Sequence, residues 1–431
     1  MPEELLVPQA LTAATEDGLV REAIENALTR SLTPMLGKLN KVLLVPPDFT
    51  RFHSNAGLIT SLLYEMLSPD CAVDVLPALG THVRMSQSEW DAMYSPIPFD
   101  RMIAHSWRTD VVPLGEVPGS FVEQVSEGLV KDAIPVELNR RLLDPEYDLI
   151  LSIGQVVPHE VVGMANQAKN LFVGCGGSGM ISASHMLGAF YGMERIMGRA
   201  DTPVRAVFDY AAERFIANLP LSYILTVTDA PQGEIRTHGL FIGRGREYFE
   251  QAAELAARVN MNLLDRPIRK AVVYLDEQEF KSTWLGNKAI YRTRMAMADG
   301  GELIILAPGV EKFGEDDQVD RLIRAFGYRG REYVLDMIKR APELAQNLSA
   351  AAHLIHGSSD GRFRVTYCAQ RLSRQEVEGV GYEYLPYQDA VRRYPPDTLQ
   401  AGWNLMDDGE EIFYIPNPAL GLWAEKRKFE V

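Results

Sequence analysis

The segment from Gly154 to His185 is the densest group of side chains in this sequence that could do chemistry. It contains His159, Lys169, a glycine-rich run at 174–179 and His185. Histidine exchanges a proton near neutral pH and also binds transition metals, so this set suits acid–base chemistry or a metal site. The alternative is a glycine-rich turn that carries polar residues incidentally.

Backbone N–H groups in the glycine-rich run could hold a phosphate. Gly176, Gly177 and Ser178 leave such donors free where a helix begins, and a helix N-terminus favours an anion. No Walker loop is present, because no Gly-Lys-Ser/Thr follows the glycines. A conventional nucleoside triphosphate site is therefore disfavoured. His159 and His185 are also too far apart for a zinc-binding H-E-x-x-H helix.

Two upstream motifs add candidate residues. In Pro46-Pro-Asp48-Phe-Thr-Arg51, the carboxylate and the planar guanidinium could hold a substrate carboxylate or a ribose. Alternatively, Asp48 caps a helix and Arg51 is simply exposed. His82 follows Gly80, where its ring could transfer protons, or it could be an ordinary loop histidine.

Short apolar runs alternating with helical patterns must position these residues. This alternation predicts an α/β fold with two domains, 1–265 and 266–431, each with a mostly parallel sheet flanked by helices. A helix at 248–264 is predicted to join them. The predicted strands are 41–47, 72–80 and 147–154 in the first domain, and 270–275, 302–309 and 364–368 in the second; the clearest helices are 55–67, 317–326 and 373–380.

Asp48, His82 and His159 each follow a different predicted strand. Ligands of open parallel sheets bind at the carboxyl ends of strands, so these side chains are expected to converge on one crevice. We expect the active site in the cleft between the domains. There, Lys281, Lys288 or Arg292 of the C-terminal half could meet a carboxylate, or they could form a solvated helix face.

Composition limits the classes of partner. The formal net charge of −15 argues against nucleic acid and anionic membranes, but it does not argue against a small anionic substrate. The three cysteines form no C-x-x-C pair, and the N-terminus does not resemble a signal peptide. No run of about 18 apolar residues predicts a membrane span. We therefore expect a cytoplasmic protein.

Taken in order, these motifs resemble the lactate racemase family of nickel-pincer enzymes. The resemblance extends over most of the chain. It rests on Asp48-x-Thr50-Arg51, Gly80-Thr-His82, Pro158-His159-Glu160, Lys169, His185, Gly300-Gly301 and Ala307-Pro-Gly309.

The resemblance implies a cofactor and a role for each residue. The cofactor would be a nickel-pincer nucleotide, pyridinium-3,5-bisthiocarboxylic acid mononucleotide with nickel, attached at Lys169. His185 would be a nickel ligand, and His82 and His159 the acid/base pair. Asp48, with Gly176, Gly177 and Ser178, would support the cofactor, and Arg51 would meet the substrate. The expected reaction is racemisation or epimerisation of a 2-hydroxy acid by proton-coupled hydride transfer through a 2-oxo acid.

The chain departs from the lactate enzyme where that enzyme has a glutamine and a lysine that bind substrate. Lys281 and Trp284 align with those positions here, and Lys288 or Arg292 could also serve. The substrate is therefore open: a dicarboxylate, an aromatic hydroxy acid or a sugar acid fits at least as well as lactate. The expected partners are this substrate and the cofactor-synthesis enzymes; a homo-oligomer is possible.

Two other functions compete with this interpretation. One is a zinc-dependent hydrolase with His82, His159 and His185 as ligands, although the sequence has no H-E-x-x-H motif. The other is a non-catalytic protein that carries or senses the nickel nucleotide and would need only Lys169 and His185.

Overall fold

The computed structural model describes residues 5–230, 233–419 and 421–429. Contacts divide the chain into two compact units: unit 1 is Met1–Leu187 with Ile196–Asn260, and unit 2 is Gly188–Arg195 with Met261–Val431. The division after Asn260 and the predicted boundary at residue 265 differ by one short strand.

The strands follow one another along the described part of the chain. They are β1 (Gln9–Thr12), β2 (Lys41–Val45), β3 (Ala72–Val75), β4 (Val111–Val117), β5 (Ile134–Asn139), β6 (Leu149–Gln155), β7 (Pro158–His159), β8 (Gly163–Met164), β9 (Leu221–Asp229), β10 (Arg236–Gly243), β11 (Met261–Leu264), β12 (Ile268–Tyr274), β13 (Met297–Ala307), β14 (Arg364–Ala369), β15 (Glu383–Tyr384), β16 (Gly402–Leu405), β17 (Glu411–Ile415) and β18 (Leu422–Glu425).

The helices lie between these strands. They are α1 (Arg21–Leu32), α2 (Ala56–Leu67), α3 (Gln87–Tyr94), α4 (Gly119–Val125), α5 (Ala168–Phe172), α6 (Ser178–Tyr191), α7 (Met193–Ile196), α8 (Pro203–Phe215), α9 (Arg246–Asn260), α10 (Thr283–Gly286), α11 (Lys288–Tyr291), α12 (Asp317–Phe326), α13 (Arg331–Arg340), α14 (Pro342–Ala345), α15 (Leu348–His356), α16 (Arg374–Gly379) and α17 (Tyr387–Arg393).

Each unit contains one large, mostly parallel sheet. In unit 1 the order is β1-β10-β9-β6-β2-β3. Strands β9, β6, β2 and β3 are parallel, β10 pairs antiparallel with β9, and β1 pairs antiparallel with β10. In unit 2 the order is β15-β14-β13-β12-β17-β16, in which only β16 is antiparallel to its neighbour among the described strands. The predicted α/β class with parallel sheets and helices is confirmed.

The central strands of unit 1 are apolar on both faces because both faces are covered. All seven residues of β6 and four of the five in β2 are buried. Val42, Leu44, Leu149 and Leu151 pack on one face with Ile59 of α2 in a single core cluster. Covered parallel strands of this kind read as continuous apolar runs, which is why the sequence revealed them.

The predicted joining helix at 248–264 is wrong in its last four residues. Helix α9 ends at Asn260, whose buried side-chain amide donates a hydrogen bond to the Thr228 carbonyl at 2.9 Å. The next four residues form β11, which pairs in parallel with β18. A pairing partner distant in sequence thus overrides the helical pattern.

Within the described ranges, no helix combines the length and apolar character needed to cross a bilayer.

Candidate active site

The segment after β2 supplies a carboxylate with two partners. Asp48 caps a short 3-10 helix, Phe49–Ser54, by accepting the Thr50 N–H at 2.9 Å. The helix-cap alternative is therefore correct, but it uses only one carboxylate oxygen. The other oxygen of Asp48 meets Nδ1 of His82 at 2.5 Å. Asp48 thus joins the loops that follow two neighbouring strands.

The His82 side chain is 56% exposed, whereas that of Asp48 is 6% exposed. With Nδ1 committed to Asp48, Nε2 is the ring nitrogen available for proton exchange. Burial opposes ionisation of Asp48, but the hydrogen bonds and charge of His82, together with Thr50, outweigh it and lower the pKa of Asp48. The pair therefore holds a negative charge directly behind an accessible imidazole.

Arg51 lies in the same 3-10 helix, at a kink where φ is −112° and ψ is 30°. Its guanidinium has no hydrogen-bond or ion-pair partner among the residues that the structure describes. Its charge lowers the pKa values of His159 and Lys169. An unpaired guanidinium in this position is suited to bind a carboxylate.

His159 lies at the end of the short hairpin β7–β8 and is only 6% exposed. Its Nδ1 accepts the Val161 N–H at 3.1 Å, so the neutral ring carries its proton on Nε2. Burial, with the charges of Lys169, Arg51 and His185, lowers the pKa of His159 well below its usual value, although Glu160 opposes the shift. His159 is therefore neutral at physiological pH, and its Nε2–H can donate to a bound molecule.

Lys169 is the second residue of α5 and follows two strained residues. Asn166 and Gln167 have positive φ angles of 69° and 54°, a region that favours glycine. Burial and the charge of Arg51 lower the pKa of Lys169 to about 8. A substantial fraction of this amine is thus uncharged near neutral pH, as a nucleophilic lysine requires.

Arg205 of α8 holds the strained segment in place. Its side chain is fully buried and donates to the Met164 carbonyl at 2.7 Å and to the Asn166 carbonyl at 3.2 Å. The Arg205 guanidinium also lies 4.1 Å from the ring centroid of Phe249. Sequence reasoning missed Arg205, because nothing in its local sequence marks it as an anchor for residues about forty positions earlier.

His185 lies in α6, and its Nδ1 contacts the carbonyl of Ile181 at 2.6 Å. A carbonyl can only accept, so the hydrogen is on Nδ1 and the lone pair is on Nε2. Burial lowers the pKa of His185, which favours the neutral ring. A neutral imidazole fixed by its second nitrogen is the usual form of a metal-binding histidine.

Neighbouring protein atoms pack closely against the glycine-rich run at 174–179. A side chain at Gly176 would meet the Phe172 carbonyl at 1.8 Å, and one at Gly177 would meet the Glu137 carboxylate at 2.3 Å. Glu137 accepts the Gly179 N–H at 3.0 Å, so one donor expected for a phosphate is already used. Ser178, the first residue of α6, is exposed.

His105 and Asn139 support this run from behind. The Asn139 amide donates to Nδ1 of His105 at 2.9 Å, which leaves Nε2 to donate to the Gly176 carbonyl at 3.1 Å. The Gly80 N–H donates to the Gly174 carbonyl at 2.8 Å. The loop before His82 and the turn before the helix of His185 are therefore directly bonded. Sequence reasoning identified the glycines but not these contacts.

The predicted substrate-binding residues of unit 2 contact other residues of that unit. Lys281 donates to the Glu277 carbonyl at 2.6 Å, and Lys288 lies 5.6 Å from the ring centroid of Phe280. Arg292 is only 4% exposed. Trp284 stacks on His353, with ring centroids 4.3 Å apart. Their roles in substrate binding stay predictions.

Electrostatic interactions connect the candidate residues of unit 1. His159 responds to the charges of Lys169, Arg51 and His185, and Lys169 responds to Asp48, which bonds His82. Glu160, whose importance the sequence did not reveal, acts on His159, Lys169 and His185. Over the described residues, no group of three or more histidine, cysteine, aspartate or glutamate side chains is arranged to hold a metal ion.

The family model of the lactate racemase N-terminal domain matches residues 3–196. These residues include every candidate side chain of unit 1 named above except Arg205. Residues 3–196 of the chain are thus similar to the N-terminal domain of lactate racemases, and this match supports a racemase- or epimerase-type role.

Solved structures share the fold. A crystal structure of a protein from Thermotoga maritima is similar with a TM-score of 0.79 and 25% identity, over 96% of this chain and 99% of that chain. The lactate racemase apoprotein of Thermoanaerobacterium thermosaccharolyticum is similar with a TM-score of 0.71 and 15% identity, over 98% of this chain and 100% of that chain. No curated protein sequence matches significantly.

Proposed function

We propose that this protein is a nickel-dependent racemase or epimerase of 2-hydroxy acids. The observation that carries the proposal is the cluster of His159, Lys169 and His185, whose charges act on one another within a lactate racemase N-terminal domain. Each member of the cluster has the protonation state that the chemistry requires. His159 is a neutral imidazole that can donate from Nε2, Lys169 a partly neutral amine and His185 a neutral imidazole.

The residues fit the nickel-pincer nucleotide. The Lys169 amine, with its pKa of about 8, would form the covalent link, and Nε2 of His185 would bind nickel. Nickel accepts imidazole nitrogen readily. A single protein ligand would suffice, because the cofactor itself supplies sulfur and carbon donors.

The cofactor supplies a reversible hydride acceptor for the C2 hydrogen of the substrate when it is bound. The chain supplies the proton chemistry and the orientation. Arg51 would bind the substrate carboxylate through its planar pair of donors. His82 would take the hydroxyl proton as hydride leaves C2, so that no carbanion forms. His159 would return a proton to the oxygen of the planar 2-oxo acid.

The two histidines are held differently, which suits two different roles. His159 is buried, and Val161 fixes its ring. His82 is exposed, and Asp48 fixes its ring through Nδ1. In both rings Nε2 is the nitrogen left to exchange a proton with substrate. His82 would thus take a proton on Nε2, and His159 would give one from Nε2.

The side chain of the substrate would be selected by residues of unit 2. We propose Lys281, Trp284, Lys288 and Arg292 for this role. Trp284 together with basic groups would favour a 2-hydroxy acid with an aromatic or polar side chain over lactate. The protein would act in the cytoplasm on a free small molecule, after loading by cofactor-synthesis enzymes; its three cysteines are free thiols.

The zinc-hydrolase alternative gains no support from the described residues. His82, His159 and His185 do not form a preformed three-ligand group among them. A nucleotide carrier would leave the Asp48–His82 pair and the unpaired Arg51 without a use.

The decisive experiment is production of the full chain together with the cofactor-synthesis enzymes, followed by intact mass and nickel analysis. We expect a mass increase matching one mononucleotide and about one nickel per chain. The variant Lys169→Ala should lack the covalent increase. The matched control Lys131→Ala should keep it, since Lys131 is an exposed lysine paired with Glu123. Zinc at full occupancy without a nucleotide would contradict the proposal.

A further inference from the structure

Unit 1 contains a cavity that the proposed function does not use. Its volume is about 280 Å³, and none of the active-site side chains described above lines it. It includes Leu221 and Tyr223 near the start of β9. Asp48, His82 and His159 instead follow the carboxyl ends of strands parallel to β9. The cavity volume is close to the lower limit of about 300–1,000 Å³ for small-ligand pockets.

Two buried polar side chains line this cavity without a partner. Gln167 is 6% exposed, and its side-chain oxygen has no hydrogen bond among the described residues. Tyr223 is 4% exposed, and its hydroxyl likewise makes none within them. Leaving such groups unpaired in a protein interior is costly, so their exposure to a cavity indicates a ligand that supplies the missing bonds.

Gln167 also has a strained backbone. Its φ of 54° and ψ of −127° lie in a region that is comfortable only for glycine. A glycine would be more stable at this position, yet the chain has a glutamine that lines the cavity. Strain of this kind persists where the side chain has a use.

The charges around the cavity favour a cation. Arg244 donates to the backbone carbonyls of Leu219 at 2.7 Å and Ile216 at 3.3 Å. Arg246 pairs with Asp209 and, at 2.9 Å, with Glu250. Arg246 is therefore paired with carboxylates, Arg244 is held by backbone carbonyls, and the three carboxylates of the lining outnumber these two cations.

Two of the three carboxylates that line the cavity have no such partner. Glu213 and Glu247 line the same cavity, are exposed, and form no ion pair or hydrogen bond through their side chains among the described residues. Apolar walls from Ala212, Ile216 and Leu221 complete the lining. A ligand with an ammonium group and a short hydrocarbon chain would match the acidic side and the apolar side together.

We propose that this cavity is a binding site for a small organic amine. The ammonium would meet Glu213 and Glu247, the alkyl chain would contact Ile216 and Leu221, and Gln167 and Tyr223 would complete the polar contacts. Gln167 and Ala168 directly precede Lys169, so an occupied cavity would support the segment that presents this lysine. The proposal does not depend on the racemase proposal, because it concerns different side chains.

Calorimetric titration of the full chain with three probes of equal size tests this site. The probes are n-butylamine, butan-1-ol and butyrate, which differ in charge but share a four-carbon skeleton. We expect n-butylamine to bind, butan-1-ol to bind about tenfold more weakly, and butyrate not to bind. Equal binding of the alcohol, tighter binding of butyrate, or no binding of the amine at millimolar concentration would overturn the proposal.

Variants connect the binding to these side chains. The double variant Glu213→Gln and Glu247→Gln should weaken n-butylamine binding about tenfold or more, and Tyr223→Phe should weaken it less. Both keep the size of the native side chains, and the two glutamates are exposed, so folding should be unaffected. The control Glu65→Gln alters an exposed glutamate of α2 and should leave binding unchanged. Binding that survives both cavity variants would also overturn the proposal.

Discussion

Cationic side chains are held in contrasting ways in the two units. In unit 1, Arg51 makes no ion pair or side-chain hydrogen bond among the described residues, and Lys169 has a pKa lowered to about 8. In unit 2, Lys281 donates to a carbonyl at 2.6 Å, and Lys288 lies over the ring of Phe280.

The difference follows from the elements that carry these residues. Arg51 lies in a 3-10 helix within the connection that follows a parallel strand, and several such connections meet at one edge of the sheet. Lys288 belongs to a short helix, and Lys281 immediately precedes another; neither follows directly on the end of a strand. Where the connections of unit 1 meet, the Arg51 guanidinium has no ion-pair partner among the described residues. In unit 2, by contrast, Lys281 and Lys288 contact neighbouring groups of their own unit. This contrast predicts that unit 1 performs the chemistry and that unit 2 adjusts which substrate is accepted.

The largest expected effect concerns the two histidines of unit 1. Each of His82→Gln and His159→Gln should reduce the turnover of loaded enzyme by about 10²–10⁴-fold, because each removes an acid/base group. Steady-state racemisation rates check this, with His238→Gln on β10 as the control that keeps its rate. Full activity in either variant would show that unit 1 does not supply the proton transfer.

The next largest effect concerns binding of the substrate carboxylate, which we assign to Arg51 of unit 1 rather than to Lys281 of unit 2. Arg51→Ala should lower kcat/KM by about 10–100-fold, since a charge-assisted hydrogen bond contributes about 1.5–3 kcal/mol. Arg51→Lys should recover only part of this loss, because an ammonium lacks the planar pair of donors. Lys281→Ala should have a smaller effect than Arg51→Ala in the same assay. The reverse order would assign carboxylate binding to unit 2.

Stability of the lysine-bearing segment depends on Arg205. Arg205→Met should reduce the free energy of unfolding by about 1–3 kcal/mol, because it leaves the buried carbonyls of Met164 and Asn166 without a donor. Urea denaturation measures this change. On the same helix, Arg214→Met removes an exposed arginine and should change stability by less than about 0.5 kcal/mol. Similar losses in both variants would refute the anchoring role.

The smallest predicted effect is a difference in titration between two lysines. Because the pKa of Lys169 is lowered to about 8, its amine is mostly charged at pH 7 and mostly neutral above pH 8. Glu123 raises the pKa of Lys131, which therefore stays charged to higher pH. Competitive acetylation of cofactor-free protein, read by peptide mass spectrometry, should give a midpoint near pH 8 for Lys169. A shared midpoint for the two lysines would contradict the electrostatics of the site.

How much of this the sequence could predict depends on the range of each interaction. Strands β2 and β6 are buried on both faces, so their apolar runs were visible without any partner. The motifs containing Asp48, His82, His159, Lys169 and His185 could also be identified from short stretches of sequence. Their residue types and spacing resemble one family, whose N-terminal domain then proved to match.

Long-range contacts could not be predicted. The Asp48–His82 bond joins two loops, and Arg205 reaches back to Asn166; neither residue pair has a local signature. The same limit explains the end of α9, where pairing with β18 converts four residues of a helical pattern into β11. The periodicity of apolar residues indicates the type of a single helix or strand, whereas these contacts depend on how different helices, strands and loops pack together.

The fate of the C2 hydrogen tests the central claim most directly. One enantiomer of a C2-deuterated 2-hydroxy acid should be incubated in ordinary water with nickel-loaded protein, and the stereochemistry and deuterium content of the product measured. Hydride transfer and return predicts inversion at C2 with deuterium retained, and no inversion with Lys169→Ala. Inversion with deuterium lost to solvent, or no inversion of any 2-hydroxy acid by fully loaded protein, would contradict it.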